Sequence, residues 1–298
     1  MNGDQSAMQL WGKQYKQKPK WTSRNNAITI VKEVPYRVLQ PNRSISFKGE
    51  KLTTNSQGLR DKEYLLDKNS NTYRYLLLGG SYEMGSGVAN NQTYENLTEV
   101  SLNNSGRKVE ILNTALGGYH IVENVSIAKK SIPKFVPDAI IYTAHTEEYE
   151  RAIAKVVQLI KKQAIITDIE LSEIIKRSGA KHNMSRLEVE HRLRPYRKDI
   201  LKWGYQSIYD AAKEGNAKSI WLFLPALGDL VNVNELDELK SLAIDIGFEI
   251  IVLEDMYKGY STEELSIAPW DMHPNAEGHQ LIAKQLIEKL SQNLLDTR

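Results

Sequence analysis

The sequence predicts a three-layer α/β/α domain, with helices on both faces of a five-stranded parallel sheet, on three observations. First, five short apolar runs at residues 74–78, 109–112, 138–143, 220–224 and 248–253 are rich in β-branched or aromatic residues and bounded by turn residues. They are continuous rather than alternating, as strands buried on both faces are. Second, helical patterns at 93–102, 119–135, 148–160, 185–214 and 235–246 separate them. Alternating strands and helices imply right-handed crossovers and parallel pairing. Third, Ile282, Ala283, Leu286, Ile287 and Leu290 share one stripe, so an amphipathic helix follows the last strand.

The 298 residues read as one domain, 1–298, with a core at 73–298. Residues 1–72 form an N-terminal arm, in which the turn-rich "TTNSQGLRDKEY" reads as β structure. Residues from about 150 to 215 hold more helix than one crossover needs. A helical insertion of that size suits a lid, a substrate wall, a packing layer or a partner surface.

Composition excludes several function classes. Lys+Arg 39 against Asp+Glu 37 leaves a net charge of +2, which offers no general field for nucleic acid. The absence of cysteine removes disulfides, thiol catalysis and thiolate metal sites. No apolar stretch approaches the roughly 20 residues of a membrane span. The N-terminus lacks the apolar core of a signal peptide, so the compartment stays open between the cytoplasm and a domain whose leader or anchor is missing. Lys13, Lys16, Lys18, Lys20 and Arg24 stand beside Trp11, Tyr15 and Trp21 with no acidic residue among them. Such a segment suits an anionic membrane surface, or a solvated arm.

The turn "GGSYEMGSG" follows the first core strand, at the sheet edge where ligands bind in doubly wound folds. It fails as a phosphate loop. Gly80 and Gly85 have the spacing, but Ser86 and Gly87 stand where Lys and Ser/Thr are needed. The dinucleotide fingerprint fails too, because Gly85-Ser86-Gly87 runs on into Val88, Ala89 and Asn90. As the mount for a nucleophile, Ser81 needs a base and an orienting group. "APWDMHPNAEGHQLIA" supplies Asp271 and His273 two residues apart, on the same side of an extended loop. Pro274 keeps that loop extended, and Asn275 is placed to cap the following helix.

These residues resemble the SGNH (GDSL-type) hydrolase family over most of the chain. Gly79-Gly80-Ser81 resembles its G-D-S turn, "LNTALGGYH" its glycine block, Ala144-His145-Thr146-Glu147 its third block and Asp271/His273 its fourth. The resemblance implies a flavodoxin-like sheet of order 2-1-3-4-5 and a serine esterase or acyl-transfer site without metal or cofactor. Ser81 is then the nucleophile, His273 the base and Asp271 its orienter, with Ser81, Gly118 and Thr146 around the oxyanion. The substrate it implies is an O-acyl ester, acetyl included, of a carbohydrate or polar metabolite. Two other readings stay open: an O-acyltransferase using the same acyl-Ser81, and a non-catalytic binding domain of an envelope or polysaccharide assembly.

Two positions depart from the family pattern. Gly80 replaces the aspartate of G-D-S, and Thr146 replaces an asparagine whose amide donates to the oxyanion. Further residues are ambiguous. His145, Glu147, Trp270 and Arg60 suit substrate contact, but also a structural histidine, a helix-dipole glutamate, a pocket wall and a structural ion pair respectively. Trp203 and Trp221 read as core. His120, His182, His191 and His279 show no metal-ligand spacing.

Overall fold

The computed structural model describes residues 24–295. The basic-aromatic stretch from Trp11 to Trp21 lies outside the described residues. Within the arm, strands β1 (Ile28–Ile30) and β2 (Arg37–Leu39) pair antiparallel, as do β3 (Ser44–Phe47) and β4 (Glu50–Thr53). The arm is therefore two small hairpins. Most of "TTNSQGLRDKEY" is turn rather than strand, because Asn55 accepts from the Gln57 and Leu59 N–H groups and donates to the Lys62 carbonyl. An asparagine that satisfies its own neighbourhood competes with strand pairing.

The core sheet comprises β5 (Tyr73–Leu78), β6 (Val109–Asn113), β7 (Ala139–Ala144), β8 (Lys218–Phe223) and β9 (Glu249–Val252). All pairings are parallel, in the order β6-β5-β7-β8-β9. Counting core strands alone, that order is 2-1-3-4-5. Each strand lies within two residues of the position its apolar run predicts.

Side-chain alternation divides the core into two layers. Leu76, Leu78, Ile140 and Tyr142 face helices that carry Val125, Ile153, Ile200 and Leu239. Tyr75, Leu77, Ile141 and Leu222 face the opposite layer, which includes Tyr94, Leu102, Ile282 and Leu286. In chain order the helices are α1 (Tyr94–Asn104), α2 (Ile121–Phe135), α3 (Glu148–Lys161), α4 (Ile169–Ser178), α5 (Arg186–Leu193), α6 (Arg197–Glu214) and α7 (Val233–Ile246), then the short α8 (Thr262–Leu265). A hairpin of β10 (Ser266–Ala268) and β11 (Asp271–Pro274) leads into α9 (Ala276–Leu295). No helix among the described residues is long and apolar enough to cross a membrane.

The predicted helix at 185–214 is two helices. Pro195 sits in a 3-10 turn, Arg194–Tyr196, between α5 and α6. The helical insertion packs into the core rather than standing away from it, since Leu171, Ile174, Val189 and Leu193 are buried with the sheet-facing residues. Trp203 is buried and donates to Asp168 (2.8 Å), and Trp221 stacks on Phe223 inside the core.

Beneath the C-terminal end of β6 lies a group of carboxylates. Asp61 accepts from the Asn113 N–H (3.0 Å) and from Tyr64, whose hydroxyl also reaches Glu99 (2.8 Å). Burial, with Glu99 nearby, raises the Asp61 pKa to about 7, and burial also raises that of Glu95. A carboxyl raised in the fold holds a proton that the unfolded chain has released, so its stabilisation is present at low pH. Stability is expected to fall as pH rises from about 4 to 7, approaching about 1.4 kcal/mol per pH unit for each retained proton. Urea midpoints across that range check this, and Asp61→Asn should flatten the slope.

Candidate active site

Ser81 begins the turn after β5. The turn is closed by backbone bonds from Met84 N–H to Gly80 C=O, Gly85 N–H to Tyr82 C=O and Ser86 N–H to Ser81 C=O. Glu83 folds back beneath it and accepts from the Gly80 N–H at 2.6 Å. A Cβ on Gly79 would lie 2.2 Å from Glu83 Cγ, so this close approach requires glycine there. The position that holds Asp in G-D-S turns is thus Gly80, and a carboxylate from three residues later binds its amide.

Arg60 holds the rest of the turn. Its guanidinium donates to the Met84, Gly85 and Val88 carbonyls and to Asn90 Oδ1 (3.1 Å). Burial lowers its pKa to about 10. The structure therefore replaces two expectations for Arg60: it lies buried under the turn, bound to backbone carbonyls, and neither faces substrate nor belongs to an ion pair among the described residues.

The β11 strand brings Asp271 and His273 to this turn. His273 Nε2 lies 2.7 Å from Ser81 Oγ, and His273 Nδ1 is in short contact with Asp271 Oδ1. The hydrogen bond to His273, with Lys48 adding to it, outweighs burial and holds the Asp271 carboxyl well below its ordinary range. Asn275 caps α9 by accepting from Glu277 and Gly278 N–H groups, both at 3.0 Å, as its place in the sequence predicts. Tyr82 pins the same loop: its hydroxyl donates to the Met272 carbonyl (3.1 Å), and its ring centroid lies 5.5 Å from that of His273. The sequence-predicted serine, histidine and aspartate are thus one hydrogen-bonded chain.

Lys48 reaches the same pair of residues from a distant segment. It sits at the tip of the β3–β4 hairpin, 2.5 Å from Asp271 Oδ2 and 3.1 Å from His273 Nδ1. No pattern in residues 44–53 announces that contact, because it is made across 223 positions of chain.

Gly118 lies in the loop between β6 and α2 with φ +88°, and a Cβ there would come 2.6 Å from the Arg37 guanidinium. Among the described residues, neither the Ser81 N–H nor the Gly118 N–H has a hydrogen-bond acceptor. Thr146 is buried, and its hydroxyl donates to Asp229. Its one proton is therefore committed to a carboxylate. His145 packs beneath the turn, with Nδ1 2.8 Å from the Leu224 carbonyl and Nε2 3.3 Å from Glu83. Glu83 outweighs burial and raises the His145 pKa, while His145 outweighs burial and lowers that of Glu83. This is a buried ion pair, and both ring nitrogens of His145 are engaged, Nδ1 at the Leu224 carbonyl and Nε2 at Glu83. Glu147 is exposed at the start of α3, in the wall of a cavity that also touches Thr146 and Asp229. Trp270 occupies the β10–β11 turn beside Asp271. His279 is buried in α9 and accepts from the Tyr94 N–H (3.1 Å), capping α1. Among the described residues, no group of three or more His, Asp or Glu side chains is arranged to hold a metal ion.

Comparison with solved structures finds the chain similar to proteins described as esterases and acylhydrolases. One is a psychrotrophic esterase, EstA, from Pseudoalteromonas sp., at 11% identity and TM-score 0.47, covering 76% of this chain and 99% of that one. An acetyl xylan esterase matches at 15% identity and TM-score 0.47, covering 72% and 98%. A lipase/acylhydrolase from Enterococcus faecalis matches at 14% identity and TM-score 0.43, covering 74% and 96%. No family model matches the sequence, and no curated protein matches it.

Proposed function

We propose that the chain is a serine esterase that cleaves an O-acyl ester of a carbohydrate or other polar metabolite. The observation that carries this reading is the Ser81–His273–Asp271 chain, with the 2.7 Å contact between Ser81 Oγ and His273 Nε2. Ser81 Oγ attacks the ester carbonyl as His273 Nε2 takes its proton. The oxyanion is met by the N–H groups of Ser81 and Gly118. His273 then protonates the departing alcohol oxygen as the ester C–O bond breaks, leaving acyl-Ser81. Water, deprotonated by His273, releases the acid and restores the serine. Asp271 accepts from His273 Nδ1–H throughout, fixing the tautomer and stabilising the imidazolium.

Fluorophosphonate labelling followed by intact-mass analysis tests this. One adduct located on Ser81, together with hydrolysis of short-chain p-nitrophenyl esters, supports the reading. A folded protein that takes no adduct and turns over no ester overturns it in favour of a binding domain.

Thr146 gives a second expectation. With its hydroxyl held by Asp229, it adds nothing to the oxyanion site in this arrangement. Thr146→Asn supplies a longer amide donor and is expected to raise kcat by about 100-fold, the lower end of the range that one such donor contributes. Steady-state kinetics on p-nitrophenyl acetate measure it, and an unchanged kcat would show that this position does not limit the rate.

A further inference from the structure

Gly118 also borders a cavity of about 390 Å³ whose wall includes Arg37, Lys155, Lys161, Lys162 and Arg186. A chain with a net charge of only +2 therefore gathers five cations around one opening. Among the described residues, only Lys155 of the five has a carboxylate partner, Glu123 at 2.6 Å. Arg37 donates to the Gly117 carbonyl at 3.3 Å, Lys161 to the His182 and Met184 carbonyls, and Lys162 lies 4.4 Å above the Tyr36 ring. These contacts aim the side chains without neutralising them. Arg186, exposed at the start of α5, has no hydrogen-bond or ion-pair partner among the described residues. His120 lines the same wall, and burial, with Lys155, Arg151, His145 and Arg37 adding to it, lowers its pKa to about 3.

A cluster of cations of this kind is unfavourable by mutual repulsion until an anion enters it. The volume falls within the roughly 300–1,000 Å³ range of small-molecule sites. Arg37 joins the cavity to the site described above, because its guanidinium lies directly against Gly118. The cavity wall and the proposed oxyanion site thus share one residue, Gly118.

We propose that this cavity is the specificity subsite of the enzyme and receives an anionic group, carboxylate or phosphate, on the sugar-sized unit whose ester is cleaved. The proposal rests on the esterase reading for its place in turnover, but the binding it requires does not depend on catalysis.

The test is calorimetric titration of the full-length Ser81→Ala protein with glucuronate, glucose 6-phosphate and glucose. The two anions are expected to bind and glucose not to, with affinity falling at least about tenfold between low and high salt. The stronger of the two anions identifies the source of the charge. Arg186→Gln and Lys162→Gln, both surface changes, should each weaken the preferred anion by about tenfold, the usual scale for one charge-assisted contact. In the active protein, kcat/KM for an O-acetylated form of that anionic sugar should exceed that for O-acetylated glucose by at least a similar factor, and Arg186→Gln should shrink the ratio. Equal binding of all three sugars, or anion binding that survives the Arg186→Gln/Lys162→Gln double change, overturns the proposal. The two readings fail separately. Anion binding by a wild-type protein that takes no fluorophosphonate label supports the subsite and sinks the esterase. Labelling on Ser81 with no anion binding does the reverse.

Discussion

Ser81→Ala is expected to lower kcat for p-nitrophenyl esters on the order of 10⁴- to 10⁶-fold, the scale seen when a triad nucleophile is removed. Its fold should be untouched. Ser81 is half-buried, and its side chain bonds to His273, so the stability change should stay within about 0.5 kcal/mol. His273→Ala is expected to match it, and the double variant to be no worse than either single one, because residues acting as one unit are not additive. A Ser81→Ala protein within about tenfold of wild type would place the nucleophile elsewhere.

The largest stability effect is expected from Glu83. Its carboxylate is fully buried, paired with His145 at 3.3 Å and accepting from Gly80 N–H at 2.6 Å. Glu83→Gln keeps an oxygen for Gly80 but leaves the imidazolium of His145 without its counter-charge. Breaking one side of such a pair costs about 3–5 kcal/mol, which for a domain of this size is a fall in Tm on the order of 10 °C. The pH dependence has a defined sign. Glu83 is lowered, so its share is present above the ordinary carboxylate range and is lost as pH falls through its depressed pKa. His145 is raised, so its share is full below about 6.5 and is lost as pH rises through its elevated pKa. Thermal melts of Glu83→Gln across this range should therefore differ most from wild type between those limits. A Tm within about 2 °C of wild type at pH 6 would mean that the pair contributes nothing net.

The sheet was legible because strands buried on both faces leave continuous apolar runs, and turn residues bound each of them. Ser81, Asp271 and His273 were legible because local spacing carries them: a serine on a glycine turn, and an acid two residues from its histidine. What the sequence hid is chemistry between distant segments. Glu83 and His145 are 62 positions apart, and the only local trace of their pairing is Gly79, whose missing side chain makes room for Glu83. Arg60 looked like a residue for substrate or for an ion pair, because a lone arginine in a loop does not reveal that three unpaired carbonyls await it. Pro195 divides the stretch 185–214 because it lacks an N–H and crowds the preceding turn, a local signal that the helical pattern over the whole stretch does not contain.

The contact between Lys48 and Asp271 has a consequence for how the chain is made. A hairpin and a strand separated by 223 positions meet on the same histidine, with the Ser81 turn between them in sequence. Synthesis runs from the N-terminus, so Ser81 is made 192 positions before His273. A nascent or prematurely terminated chain that stops short of β11 carries the serine without His273. Such a product lacks the group that the proposed mechanism needs to activate Ser81.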